Sequence, residues 1–171
     1  YRKEGNNEKA LEELKLAFKS QKLDVDKKVK VLLNYYSVTE FKKELKGEAY
    51  ELLEILLEAH PKEAKAYTVY GDFLFRDEKL KEARKNIKKA LDLDASKFPI
   101  WRQVLLIDSR LGNNDSLLDD SRKAKELFPN QPIVYLFEGV ALMGKEKTEE
   151  ATKELEYRKS LVVVNDELKW R

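Results

Sequence analysis

Apolar side chains return every three or four residues along most of this chain, in stretches divided by short polar breaks, so the pattern reads as a succession of amphipathic helices. EKALEELKLAFKS sets Ala10, Leu11, Leu14, Ala17 and Phe18 on one face. A turn over 23–26 follows, with Asp26 placed to cap the next helix. Val29, Val31, Leu32, Leu33, Tyr35 and Tyr36 make that helix mostly apolar, as for a helix flanked on both sides. Residues 37–48 are mostly polar. AYELLEILLEAHP resumes the helical period and is stopped by Pro61. Six further helices are expected over 62–76, 80–93, 98–111, 117–128, 133–143 and 149–162. The breaks between them (77–79, 94–96, 112–116, 129–132 and 144–147) are short enough to force antiparallel neighbours. Residues 1–4 read as the last turn of a helix broken at Gly5-Asn6-Asn7. Val162-Val163-Val164 reads as a helix end, and 166–171 as the start of one more helix with Trp170 as its large residue.

The helices repeat. Tyr67 and Trp101 stand 34 residues apart (101 − 67), as do Ala90 and Ala124 (124 − 90), and a period in this range means a stacked array. Tyr67, Tyr70, Gly71, Leu74, Ala83, Ile87 and Ala90 fall at the spacing W-x2-L-G-x2-Y followed by A-x3-F-x2-A, and this stretch resembles the tetratricopeptide repeat (TPR). Trp101, Val104, Gly112, Ala124 and Pro129 match in a second copy, where Leu105 and Leu117 replace small residues. A third begins at Tyr135 with Gly139, Leu142, Ala151 and Leu155, and carries Val163 in place of the closing proline. Ala49, Leu53 and Pro61 fit an earlier unit; Tyr1, Gly5, Ala10, Leu14 and Ala17 fit the end of another. Ala10 to Ala49 is 39 residues, five more than the period, which puts the extra residues between Ser37 and Gly47. The resemblance implies an all-α fold, an α-α superhelix (right-handed solenoid) of stacked helical hairpins. Its units would run approximately 1–24 (partial), 25–62, 63–96, 97–130, 131–164 and 165–171 (partial). The physical logic is plain: Gly71, Gly139, Ala83 and Ala151 let paired helices approach, while Tyr67, Trp101 and Tyr135 fill the space between layers.

Composition narrows the function. Charged residues make up 39% of the 171 residues, yet 34 Lys and Arg against 32 Asp and Glu leave a formal net charge of only +2. That argues against a dedicated nucleic-acid binder, which would carry a basic stripe. The charges alternate, as in KLKEARKNIKK, and read as solvated helix surface. There is no cysteine, which excludes disulfides, thiolate metal sites and cysteine catalysis. No apolar run approaches the roughly 20 residues of a membrane span. The chain opens on Tyr1, partway through a unit, and reads as an excised segment of a longer protein. Apolar layers at its cut ends would favour end-to-end association.

Candidate chemistry is sparse. His60, the single histidine, precedes Pro61 at a helix end, where a positively inclined side chain is favourable and no nucleophile accompanies it. Asp119-Asp120 and Glu149-Glu150 are paired acids without a calcium-loop pattern. Asn113-Asn114-Asp115-Ser116 reads as turn and cap chemistry. The six scattered glycines build no phosphate loop. Tyr67, Trp101, Tyr135 and Trp170 recur near the repeat period and read as core. No catalytic, metal or cofactor site is expected, and the chain reads as a non-enzyme.

The resemblance implies that the first helix of each unit lines a concave groove. Its positions are Val29, Leu33 and Tyr36; Thr68, Asp72, Phe75 and Arg76; Arg102, Leu106, Ser109 and Arg110; and Leu136, Val140 and Met143. Chaperone-binding members hold a peptide carboxylate with a Lys, Asn and Arg clamp. The matching Val29, Leu33, Thr68, Asp72, Pro99, Gln103, Ile133 and Phe137 do not make one. Two readings stay open: a protein or peptide segment in the groove, contacted by Tyr36, Asp72, Phe75, Arg76, Arg102, Leu106, Arg110, Leu136, Val140 and Met143, or packing of these residues within a longer array that acts as a spacer or assembly platform. A helical-repeat RNA binder and an enzyme rank below both. The general style is similar to TPR proteins of Bacteroidetes-type bacteria, which implies a cell-envelope location. The tight small-residue contacts carry a prediction: leucine at Ala83 or Ala90 should cost about 1–3 kcal/mol in chemical denaturation, and an unchanged midpoint would remove the close-approach argument.

Overall fold

The computed structural model describes residues 7–169. They form nine helices: α1 (Asn7–Lys19), α2 (Val25–Val38), α3 (Lys46–Ala59), α4 (Ala64–Arg76), α5 (Leu80–Leu93), α6 (Phe98–Leu111), α7 (Asn114–Leu127), α8 (Pro132–Gly144) and α9 (Thr148–Lys169). One 3-10 turn, Lys43–Leu45, precedes α3, and no strand occurs among the described residues. The fold is all-α.

The boundaries have local causes. Asp24, and not Asp26, caps α2: its carboxylate accepts from the Asp26 backbone N–H at 2.8 Å. Taking the cap two residues earlier lets Val25 open the helix. At α7 the Asn113 side chain accepts from the Ser116 N–H at 3.1 Å, so the helix begins at Asn114 and the expected break over 112–116 shrinks to two residues. Pro132 opens α8 at the first helical position, where its missing N–H costs nothing. The α9 helix continues past Val162 to Lys169, so 166–169 belong to it and do not start another helix. Nothing between Thr148 and Lys169 is Gly or Pro, and no closing proline stands at Val163. The expectations for residues 1–4, Gly5-Asn6 and Trp170 lie outside the described residues. The extra residues between Ser37 and Gly47 form the α2–α3 connection and the 3-10 turn.

Two hydrogen-bonded motifs recur at the repeat period, and the sequence showed the recurrence of the aromatic residues but not the bonds they make. Glu78, Gly112 and Glu146 stand 34 residues apart and share a left-handed backbone, with φ of 59°, 66° and 60°. Each closes the end of a helix in the same way: the backbone N–H groups of Lys79, Asn113 and Lys147 donate back to the carbonyls of Leu74, Asp108 and Leu142, the Schellman arrangement. Gly112 adopts that conformation freely, whereas the two glutamates adopt it against a steric cost. The second motif lies in the connections between hairpins. Tyr67 Oη donates to the Pro61 carbonyl (3.2 Å), Trp101 Nε1 to Ala95 (2.8 Å) and Tyr135 Oη to Pro129 (2.8 Å), each reaching six residues back. The aromatic ring packs between helices while its polar edge closes the loop before it.

The chain divides into two compact units, Tyr1–Lys79 and Leu80–Arg171. In the first, α1 packs on α3, α2 on α3 and α4, and α3 on α4. Its core joins Phe18, Leu32, Tyr35, Ala49, Leu52, Leu53, Leu56, Ala66, Val69 and Phe73. In the second, each helix from α5 to α9 packs on the next, and α6 also packs on α8. Ala83, Ile87, Ala90, Val104, Ala124, Ala141, Leu142 and Ala151 are buried there, as are Leu105 and Leu117, the two departures from small residues.

At Gly139, α8 meets α9 closely. A Cβ built there would lie 2.8 Å from Leu155 Cγ and Cδ2, whereas one built on Gly47 of α3 meets nothing within 4 Å. Both substitutions to alanine remove a glycine from a helix, Gly47 in the first turn of α3 and Gly139 in the middle of α8, so propensity alone would favour Gly139→Ala at least as much. Gly139→Ala is expected to be about 1–3 kcal/mol less stable than Gly47→Ala in urea denaturation. Equal stabilities would show that α9 yields freely.

Candidate functional site

On α6, Arg102, Leu106 and Arg110 recur every four residues and are exposed, Leu106 by 41%. On α8, Leu136 is half-buried, Val140 is 38% exposed and Met143 is 59% exposed, again on one helical stripe. Since α6 packs on α8, the second unit carries two neighbouring stripes, one basic with an apolar centre and one wholly apolar. Ser109 is half-buried beside the first.

The acids of these two helices point elsewhere. Asp108 of α6 is fully buried and Glu138 of α8 is 2% exposed. Arg84 of α5 pairs with Asp108 through Nε and reaches Asp120 of α7 at 3.4 Å, and Lys88 of α5 holds Asp120 at 2.6 Å. Arg122 and Lys125 of α7 pair with Glu138, and Lys125 reaches Glu154 of α9 at 3.1 Å. Carboxylates taken out of water are thereby neutralised by cations from neighbouring helices, and leaving one unpartnered would be strongly unfavourable. Burial pushes the Asp108 carboxyl up against the pull of Arg84. Asp119 and Asp120 are split by the helix: the first is exposed, the second sits in this ladder. Glu150 faces Arg122 and Lys147. Among the described residues no three acidic or histidine side chains are grouped to hold a metal ion.

In the first unit, two of the expected groove residues hold each other. Arg76 donates to the Tyr36 carbonyl, and its guanidinium lies 4.2 Å from the Tyr36 ring centroid and 4.9 Å from that of Phe73. Tyr36 and Phe73 meet edge-on at 5.0 Å. Asp72 and Phe75 are half-buried on the same helix, and Leu33 is 50% exposed on α2. Beside them the α4 cap residue Asp77 accepts from Tyr50 Oη (2.7 Å) and Lys46 Nζ (2.8 Å). Burial pushes its carboxyl up, but those two partners and Arg76 more than offset it, and the group stays below the ordinary carboxylate range.

The first unit also holds a polar centre that sequence reasoning missed. Lys28 is fully buried; its ammonium donates to the carbonyls of Phe18 (2.7 Å) and Ser20 (2.8 Å) and lies 2.6 Å from His60 Nε2. All three protons therefore have acceptors. Burial pulls the Lys28 pKa down. His60 does not sit at its helix end as a cation: burial, then the Lys28 charge, lower its pKa, against weaker pulls from Glu63 and Asp24. The signal was present, for Lys28, Leu32 and Tyr35 lie on one helical stripe, and all three are buried. A cavity of about 260 Å³ in the same unit is lined by Leu14, Val31, Asn34, Tyr35, Val38 and Leu45. Phe41, on the neighbouring turn, is 87% exposed.

The Lys28–His60 pair predicts a pH dependence with a definite sign. His60 binds its proton less readily folded than unfolded, so stability is level above the ordinary histidine pKa of about 6.5 and falls as pH drops below it. Urea midpoints measured from pH 7.5 to 5.5 are expected to decline, and His60→Gln, which does not titrate, should flatten the decline. Carboxylate titrations are common to both proteins, including Asp108, so equal slopes would remove His60 as the cause.

No family model and no curated protein matches the chain. Solved structures do. A crystal structure of MamA is 20% identical and covers 97% of this chain and 94% of its own, with a TM-score of 0.74. A second MamA structure is 21% identical over 94% of this chain and 85% of its own, at 0.70. MamA AMB-1 is 22% identical over 93% and 91%, at 0.68. MamA is a TPR-like, all-helical protein, and likeness over this extent shows that the chain has the TPR-type fold, a solenoid of stacked helical hairpins.

Proposed function

We propose that the chain is a non-catalytic protein-interaction scaffold that takes a partner segment on the exposed faces of its first helices. The observation that carries this reading is the pair of stripes on α6 and α8. Leu106, Val140 and Met143 are apolar, substantially exposed and on adjoining helices, and contiguous apolar surface is uncommon unless it serves contact. Arg102, Arg110 and Leu136 complete the surface in the second unit. Tyr36, Asp72, Phe75 and Arg76 are its counterparts in the first, with Tyr36 and Arg76 acting as a pre-formed wall because they already hold each other. The fold shared with MamA supports the reading, since MamA is a scaffold-type TPR-like protein. The division into repeat units at 25–62, 63–96, 97–130 and 131–164, and the envelope location implied by Bacteroidetes-like style, belong to the same proposal on sequence grounds alone. Among the described residues, no helix is long and apolar enough to cross a membrane.

The test is a comparative capture from source-cell extract, with the unaltered chain and a Leu106→Asp, Val140→Asp variant as baits, both checked for helicity. A partner should cross-link to α6 or α8 of the unaltered chain and bind the variant at least about tenfold more weakly. Identical capture by both baits would overturn the proposal and leave the spacer reading.

A further inference from the structure

Phe41 is 87% exposed on the connection between α2 and α3. The stretch that carries it also walls the apolar cavity of the first unit. Val38, just before it, and Leu45, just after it, both line that space of about 260 Å³, together with Leu14, Val31, Asn34 and Tyr35. The Tyr35 hydroxyl donates to Glu48 at 2.9 Å, which leaves its ring as apolar lining. Asn34 and Val38 are exposed, so the cavity has an open mouth. Phe41 itself is set on a hydrogen-bonded turn. Its N–H and that of Lys42 donate to the Val38 carbonyl (3.1 and 2.9 Å), and the Leu45 N–H donates to the Lys42 carbonyl (3.1 Å). The Thr39 hydroxyl donates to the Tyr36 carbonyl at 3.2 Å. A ring carried on such a turn loses little freedom when it is buried.

We infer that two copies of the chain pair about a two-fold axis through this turn, Phe41 of each seated in the cavity of the other. Size permits it: an apolar cavity of about 150 Å³ already accepts a benzene ring. Symmetry favours it, because knob and hole belong to one patch. A single two-fold rotation satisfies both at once, and the pair closes at two copies. The flanking charges suit a second copy as well. The turn reads Glu40-Phe41-Lys42-Lys43-Glu44, its four charged residues are exposed, and none of them enters an ion pair among the described residues. Two acids and two bases around one aromatic residue make a self-complementary rim, which a uniformly acidic or basic partner would not match. The contact is small, so the dimer belongs to the weak, transient class. It differs from end-to-end association of apolar layers, which would continue from copy to copy. It also goes beyond the proposed scaffold function, since neither Phe41 nor the cavity lining is among the residues proposed to take a partner segment.

The experiment is sedimentation equilibrium of the full chain up to millimolar concentration, with methyl NMR spectra over the same range. The expected result is a monomer–dimer equilibrium, with upfield shifts of the Leu14, Val31, Val38 and Leu45 methyl groups as the ring of the second copy enters. Phe41→Ser should weaken association about tenfold or more and abolish the shifts while helicity is kept, since the side chain it removes is exposed. Val31→Phe, which fills the cavity, should weaken association similarly. Mixing the two variants should restore part of it, because one then supplies the knob and the other the hole. A monomer at millimolar concentration, a dimer indifferent to Phe41→Ser, growth beyond two copies, or dimerisation without methyl shifts would each overturn the inference and leave the scaffold function standing. Cavity methyl groups that shift in a monomer on deletion of residues 1–6, or on addition of toluene, would give the cavity to the chain's own first residues or to a small apolar ligand, and would overturn it as well.

Discussion

No hairpin in this chain can keep both of its apolar faces from water by itself, and the fold answers that constraint repeatedly. A single pair of helices leaves one stripe uncovered; adding the next helix covers it and exposes another. The requirement explains why small residues recur at Ala83, Ala90, Ala124, Gly139 and Ala151, all at helix contacts where backbones come close. It also explains why several charged groups inside the stack are held by partners from other helices. Lys28 has three acceptors from parts of the chain distant in sequence, and Asp108, Asp120 and Glu138 each meet a cation from another helix.

That division of labour gives the molecule two kinds of surface from one helix type. The second helices of the hairpins carry cations that reach inward to buried acids. The first helices α6 and α8 bury their acids and turn apolar and arginine side chains outward. Exchanging Glu138 or Asp108 for a neutral residue would therefore alter the core pairing, since both acids are buried and paired with cations of α5 and α7.

Much of this was legible in the sequence, for identifiable reasons. The bounds of α5 and α6 follow from hydrophobic period and short polar breaks, and both were read to the residue. The ends of α7 and α9 were not. Asn113, Asn114, Asp115 and Ser116 all have cap chemistry, and only the geometry selects Asn113; the run of valines near 163 hid a helix that nothing interrupts. Groove positions such as Leu106 and Met143 could be named from register, but their exposure depends on which neighbours fill the space. Lys28 was passed over, and the charge of His60 was misread, for a related reason. Residue type reports what a side chain usually prefers, and the acceptors that reverse the preference of Lys28 come from Phe18, Ser20 and His60, which helix patterning cannot bring together.

The two loop motifs give the repeat different tolerances for length. Between hairpins, Tyr67, Trp101 and Tyr135 each close a ring onto a carbonyl six residues earlier, so an inserted residue there would pull the aromatic off its partner and out of the layer it fills. Those connections act as fixed spacers between the helices that they join. The turn inside the α2–α3 hairpin has no such closure and no left-handed residue among those described. It holds the chain's extra residues, Phe41 among them, at the one place where length could drift without disturbing the stack, and drift of that kind is how a regular array acquires a local surface of its own.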